Sequence, residues 1–352
     1  MGQTCRWTGE NNENGAATID FVAPFLYKPV FLFLFVSQML SRRLCFGTLI
    51  VAIVLALAWL DVRIYQYGEE RQIIWLPKGI VLLPVYLVCL VLLTREVLRL
   101  LNAAGLRPYP PSVYLGNLFI AISCWIANVI QQYNLEVLGN ATSKGGWDWA
   151  STASFTALLA VAGGVILAFA AEMRRYSHPG GVTINLAGAV FTFAYLGLLS
   201  CFMIQLHMAY GIWAILSLAV VTKMCDTGAF AFGKLFGRYR ITPGLSPGKT
   251  LEGAIGGLLF ACVGSWFWFI VVPPYCGKEA ATPCICWATF GLAVALTGMI
   301  GDLAGSLIKR DSQMKDSGHS IPGFGGMLDV LDSILMAAPI AYVFWVFGFV
   351  QL

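Results

Sequence analysis

From about residue 44 to residue 350 the chain alternates apolar runs of some twenty residues with short polar intervals. A run of that length crosses the hydrocarbon core of a bilayer as a helix. Nine can be drawn, at about 44–64, 73–94, 112–131, 151–171, 182–206, 209–229, 253–274, 285–308 and 329–350. Residues 29–40 are apolar but short, and predict an interfacial helix leading to Ser41-Arg42-Arg43. No soluble domain of any size fits between the spans, and no internal repeat is evident. The expected fold is all-α: a polytopic helical membrane bundle with an N-terminal segment 1–40, N-terminal spans over 41–208 and a charge-bearing C-terminal transmembrane domain over 209–352.

Composition agrees. The 352 residues are 58% hydrophobic and 11% charged, against roughly 25% charged in a soluble domain, and mean hydropathy is +0.75. Ten cysteines show no CxxC pair and no Cys/His spacing for zinc. Most, such as Cys89, Cys124, Cys201 and Cys262, lie in apolar runs and read as small core hydrophobes. Cys276, Cys284 and Cys286 share one loop, where a disulfide would require an oxidising compartment. The first 27 residues are polar and contain acids, unlike a cleaved signal peptide.

Net charge is only +4, but its distribution is informative. With nine spans, one side holds Arg6, Lys28, Arg42, Arg43, Arg95, Arg99, Arg107, Arg174, Arg175, Lys223, Lys234, Arg238, Arg240, Lys249, Lys309, Arg310 and Lys315. The other holds Arg63, Arg71, Lys78, Lys144 and Lys278. This bias predicts a cytoplasmic N-terminus and an outer C-terminus. Two charged segments, 223–252 and 302–332, then face the cytoplasm, where nucleotides are.

The second segment gathers eight Lys, Arg and Asp residues plus His319. Charge beside a bilayer is costly, so such a cluster is by default a functional site. Asp302, Ser306, Lys309 and Arg310 fall at i, i+4, i+7 and i+8, one stripe of a helix. Gly298, Gly301 and Gly305 would let a neighbouring backbone approach that Asp. Asp329 and Asp332 stand three apart on the entry to the last span, after a glycine-rich turn, Pro322-Gly-Phe-Gly-Gly. Adjacent carboxylates repel unless a cation or proton intervenes, and oxygen donors beside Lys and Arg suit magnesium and phosphate rather than zinc or haem. Capping acids at a helix N-terminus would account for one of them only.

In the first segment Asp226 sits near the cytoplasmic end of the sixth span, where a helix-pairing Asp is the alternative reading. Gly248-Lys249-Thr250 is not a Walker A loop: position 243 is Pro where that loop needs Gly, and no strand precedes it. Ser246-Pro-Gly-Lys-Thr-Leu-Glu reads instead as a loop entering the seventh span, whose N–H groups and Lys249 would hold an anion. Alternatively, Lys249 is one more positive-inside charge.

Together these residues resemble the phosphatidate cytidylyltransferase (CDP-diacylglycerol synthase) family. The resemblance rests on Ser306, Lys309-Arg310, Lys315-Asp316, Pro322-Gly323-Phe324-Gly325-Gly326, Asp329 and Asp332, with an upstream block of Asp226-Thr-Gly-Ala, Gly237-Arg238 and Ser246-Pro-x-Lys249-Thr250-x-Glu-Gly. It covers about 225–335; the first 200 residues match only as hydrophobic helices. It implies a membrane enzyme that converts CTP and phosphatidic acid to CDP-diacylglycerol and pyrophosphate, with Mg²⁺ and a second cation such as K⁺. On this resemblance Asp302, Asp329 and Asp332 would hold metal. Lys249, Lys309, Arg310, Lys315 and Asp316 would be catalytic, and Asp226, Ser246, Lys249, Thr250, Ser306, Lys309 and His319 would contact substrate. The setting would be a bacterial inner membrane, with membrane lipids as partners, no nucleic acid, and room for a homodimer. Two positions depart from the family: its turn His is Phe324 and its Arg after the first Asp is Val330, so this chain either lacks what those residues do or supplies it elsewhere, as from His319 or Lys315.

Rival readings remain. A CDP-alcohol phosphotransferase would continue Asp226-Thr-Gly-Ala into a longer Asp array, and a prenyltransferase would carry two Asp-rich loops. An ion-coupled transporter would place its charges near the midplane within inverted repeats.

Overall fold

Apolar runs of this length leave their backbone no partner but itself in lipid, so each closes its own hydrogen bonds as a helix. The computed structural model describes residues 47–48, 52–68, 70–71, 77–137, 149–177, 179–275, 282–321 and 325–351, with only the backbone of 131–137 and 149–154. The described residues from 52 onward belong to one compact unit. The interfacial helix expected at 29–40 lies outside the described residues.

The helices are α1 (52–68), α2 (Leu82–Ala103), α3 (Pro110–Val137), α4 (Trp149–Arg175), α5 (Val182–Tyr210), α6 (Ile212–Phe236), α7 (Leu251–Tyr275), α8 (Cys284–Asp311) and α9 (Met327–Val346). Seven of them, α3 to α9, are long and apolar enough to cross a membrane. The chain is therefore an all-α polytopic membrane protein. Local signals set the ends. Pro110 and Pro111 begin α3, where a missing N–H costs nothing. Gly211, at φ +77°, closes α5 by donating to His207 O at 2.7 Å before α6 restarts.

Two expectations change. The second span, expected over 73–94, is found nine residues later. The polar group Arg95, Glu96 and Arg99 resembles a loop in sequence, yet Val97, Leu98, Leu100 and Leu101 beside it are buried and prolong α2. The expected loop before the seventh span is a small antiparallel hairpin, β1 (Arg240–Thr242) and β2 (Ser246–Thr250), pairing Arg240 with Thr250 and Thr242 with Ser246. Among the described cysteines, Cys284 and Cys286 are free thiols; Cys276 lies outside the described residues.

Most of the described interior lies in two apolar clusters, with a smaller third around Ala58, Leu82 and Ile212. The first centres on Leu93, Val97, Ile120, Phe193 and Leu196, and the second on Leu218, Val221, Phe269, Phe290 and Val294. Helix α9 belongs to both of these, giving Leu328 and Leu335 to the first and Ile334 and Ala338 to the second. The start of α9 is thereby fixed against both halves of the bundle, and the charged residues gather there.

Candidate functional site

The residues of the two charged segments are brought together. Asp226 comes from α6, Thr242 and Lys249 from the hairpin, Asp302 from α8, and Asp329 and Asp332 from α9. All six border one cavity of about 360 Å³. Thr250, also on its wall, caps α7 by accepting Gly253 N at 3.2 Å on its hydroxyl.

Close helix approach makes this convergence possible. A Cβ on Gly301 would stand 2.6 Å from Asp332 O, and one on Gly305 would stand 2.7 Å from Asp332 Oδ2. Both are below ordinary contact, so the glycine stripe on α8, expected from the sequence to admit a neighbouring backbone near Asp302, is the seat of Asp332. Across α6 and α7 the same device recurs, with Gly253 facing Ala229 O at 2.8 Å from where its Cβ would be.

Around the cavity each exposed or half-buried carboxylate has a lysine. Lys249 Nζ is 2.7 Å from Asp302 Oδ2, and Lys309 Nζ donates to Asp329 Oδ1 at 2.6 Å. Lys223 Nζ donates at 3.1 Å both to Asp226 Oδ2 and to Val330 O. The Lys249 contact is an ion pair by distance only. Thr242 Oγ1, on the same wall, is a buried polar atom without a hydrogen-bond partner among the described residues. An unmatched hydroxyl beside a lysine on one wall of a cavity suits an acceptor such as a phosphate oxygen.

Asp332 is buried, and its Oδ1 accepts from Ser333 N at 2.6 Å and Ser333 Oγ at 3.1 Å. No donor among the described residues reaches its Oδ2, and Asp302 is the like charge acting on it. Asp329 is committed elsewhere: besides Lys309 it accepts from Ser317 N at 3.2 Å and Gly326 N at 3.0 Å, the latter closing the first turn of α9. Accordingly, among the described residues no three His, Cys, Asp or Glu side chains stand together as a ready metal cluster. The donor set nevertheless fits a hard divalent cation in kind, since Asp302 and Asp332 offer carboxylate oxygen, mutual repulsion and an unfilled lone pair to the same cavity.

The other expected site residues lie apart from the cavity wall. Ser246 sits in β2 and Ser306 is half-buried on α8. Arg310 is exposed, its Nε donating to Leu245 O at 3.4 Å across to the hairpin. Lys315, Asp316 and His319 are exposed and, among the described residues, make no side-chain hydrogen bond or ion pair. Phe324, with Pro322 and Gly323, lies outside the described residues. Sequence reasoning overlooked Lys223, counted only as a topogenic charge, and Glu96, whose carboxylate on α2 reaches residues 317–328. An acid flanked by apolar spans is itself a signal, masked here by its neighbours Arg95 and Arg99.

The comparisons with known proteins extend beyond the motif blocks. Residues 30–347 match the sequence model of the family described as "Cytidylyltransferase family". A phosphatidate cytidylyltransferase of Chlamydia pneumoniae is 40% identical over 134 residues, 38% of this chain and 43% of that protein. One of Thermotoga maritima is 32% identical over 165 residues, 47% and 61% of the two chains. One of Staphylococcus aureus strain COL is 31% identical over 194 residues, 54% and 69%. The match thus spans less than half the length of the Chlamydia protein. The family match, by contrast, takes in α1 to α9 entire, hairpin and cavity included, and on that extent the chain belongs to the cytidylyltransferase family.

Proposed function

We propose that this protein transfers the cytidylyl group of CTP to phosphatidic acid, forming CDP-diacylglycerol and releasing pyrophosphate. The observation that carries the reading is the cavity itself: two charged segments remote in sequence meet there, with the Lys249–Asp302 ion pair on its wall beside Thr242 Oγ1, which is buried and has no hydrogen-bond partner among the described residues. The Chlamydia, Thermotoga and Staphylococcus relatives are phosphatidate cytidylyltransferases, which supports the same substrate pair.

In this reading a phosphate oxygen of phosphatidate attacks the α-phosphorus of CTP. One P–O bond forms there as the bond to the departing pyrophosphate breaks. The nucleophile is already anionic, so no strong general base is needed, and a Phe at position 324 is tolerable. Lys249, paired with the half-exposed Asp302, would turn to a phosphate oxygen, and the Lys309 ammonium would hold Asp329 in place or turn to the leaving group. Arg310 and Lys315, exposed on the same segment, would draw the polyphosphate in. Asp302 and Asp332, with Asp329 behind them, would hold Mg²⁺, which when bound supplies neutralisation of triphosphate charge and alignment of the two substrates. The basic bias of the loops supports a cytoplasmic site in a bacterial inner membrane, and a homodimer is testable by mass in detergent.

Purified protein in vesicles should release pyrophosphate from CTP only when phosphatidate and Mg²⁺ are both supplied. Release without the lipid, or none with all three, would reject the reading.

A further inference from the structure

Glu96 lies outside both charged segments yet holds one of them. It is 3% exposed on α2. Its carboxylate accepts four hydrogen bonds, all from residues 317–328: on Oε2 from Ser317 Oγ and Leu328 N, each at 2.9 Å, and on Oε1 from Met327 N at 2.8 Å and from Ser320 Oγ. Among the described residues no Lys, Arg or His pairs with it. The amides of Met327 and Leu328 open α9 and have no acceptor within their own helix. A carboxylate there is favoured by the helix dipole. Space is cleared for it: a Cβ on Gly318 would stand 2.8 Å from Oε1, and one on Gly326 would overlap both Oε2 and Ser317 Oγ.

Capping α9 alone does not require so much. A local Ser or Asn would satisfy one amide without burying a charge. Glu96 instead grips the turn at both ends, at Ser317 and Ser320 on one side and Met327 and Leu328 on the other. It is also tied to the cavity. Ser317 Oγ lies 3.0 Å from Asp329 Oδ2, so Glu96, Ser317, Asp329 and Lys309 form one continuous chain of contacts.

We propose that Glu96 is a positioning residue: by holding Ser317 and Ser320 on one side and Met327 and Leu328 on the other it fixes Asp329 on the cavity wall, and through Asp329 the Lys309 ammonium. The proposal rests on the transfer reading for what the cavity does, while the clamp itself can be read without substrate. The experiment uses the full chain in vesicles, as wild type, Glu96→Gln and Ser320→Ala. Amide exchange at Ser317, Met327 and Leu328 should quicken at least tenfold in Glu96→Gln and less in Ser320→Ala, with the amides around Ile120 unchanged. In the phosphatidate assay kcat should fall at least tenfold in Glu96→Gln while KM for CTP moves less than threefold. A general loss of structure would move the Ile120 amides too. Unchanged exchange at the three amides overturns the clamp, and quickened exchange with unchanged kcat overturns the positioning role. A wild-type chain inactive with CTP and phosphatidate would sink the transfer reading instead, leaving the exchange data to judge the clamp separately.

Discussion

The acids of the first helices and those of the last are held in opposite ways. Asp61 and Glu96, at 4% and 3% exposed, are matched mainly by neutral donors: Gly79 N, Val81 N and the His207 ring for Asp61, serines and backbone amides for Glu96. Asp226, Asp302 and Asp329 are matched by lysines, and the first two side chains are each 45% exposed. A buried carboxylate ringed by fixed amides is a permanent joint, because losing one partner leaves a desolvated charge. A half-exposed Asp–Lys pair contributes little to stability, so its members can exchange partners when a phosphate or cation arrives. The same residue type thus builds architecture in one half and a responsive site in the other.

The sharpest way to break this contrast is at Asp332, the one cavity acid that is buried and lacks a lysine. Asp332→Asn should lower pyrophosphate release about 100-fold or more, the scale of several kcal/mol of lost charge stabilisation, without hindering folding. A fully active, correctly folded variant would remove Asp332 from the site. Gly305→Ala comes next. Its methyl would stand 2.7 Å from Asp332 Oδ2, so the carboxylate must shift, and a misplacement of that order should cost about tenfold or more in kcat. Overpacking should also cost about 1–3 kcal/mol of stability, read as a lower unfolding midpoint in detergent.

Much of this was legible in the chain. Run length placed seven of the nine helices within a few residues, because in lipid an apolar run has no alternative structure. The glycine stripe anticipated a neighbouring backbone close to α8, and the backbone of α9 at Asp332 and Ser333 is what lies against Gly301. Long-range pairing was not legible. Nothing in the spacing of Lys249 and Asp302 fixes their contact, since it depends on how far the hairpin folds back over α8. Glu96 was hidden for a related reason: between Arg95 and Arg99 it looks like the polar end of a span, and only the 231-residue reach to Met327 reveals its role. Nor does spacing show that Asp329, on the same cavity as Asp302 and Asp332, is paired with Lys309.

The permanent joint can be tested at Asp61→Asn. An imidazole giving Nε2–H to Asp61 accepts the Tyr86 hydroxyl at Nδ1, 3.2 Å away, so three elements share this knot. An amide in place of the carboxylate turns one acceptor into a donor facing other donors. The expected cost is about 1–3 kcal/mol of stability, with turnover per folded molecule unchanged, since neither Asp61 nor His207 borders the cavity. A drop in turnover without a drop in stability would reverse the assignment.

Lys223→Ala probes the other side at its weakest point. The ammonium touches Asp226 and Val330 O, yet it is 45% exposed, so its pairs are screened by water and ions. Its removal should change stability by no more than about 1 kcal/mol. Its position matters more than its bond energy. It brings a positive charge to the backbone between Asp329 and Asp332, beside the residue where the resemblance has Arg and this chain has Val330. A charge so placed should act on polyanionic substrate, so KM for CTP should rise about threefold, with the difference shrinking as salt rises from low to physiological strength, where the screening length is about 8 Å. If stability falls well beyond 1 kcal/mol while KM holds, Lys223 belongs with Asp61 and Glu96 among the fixed joints, and the division between the two halves does not follow the helices that carry them.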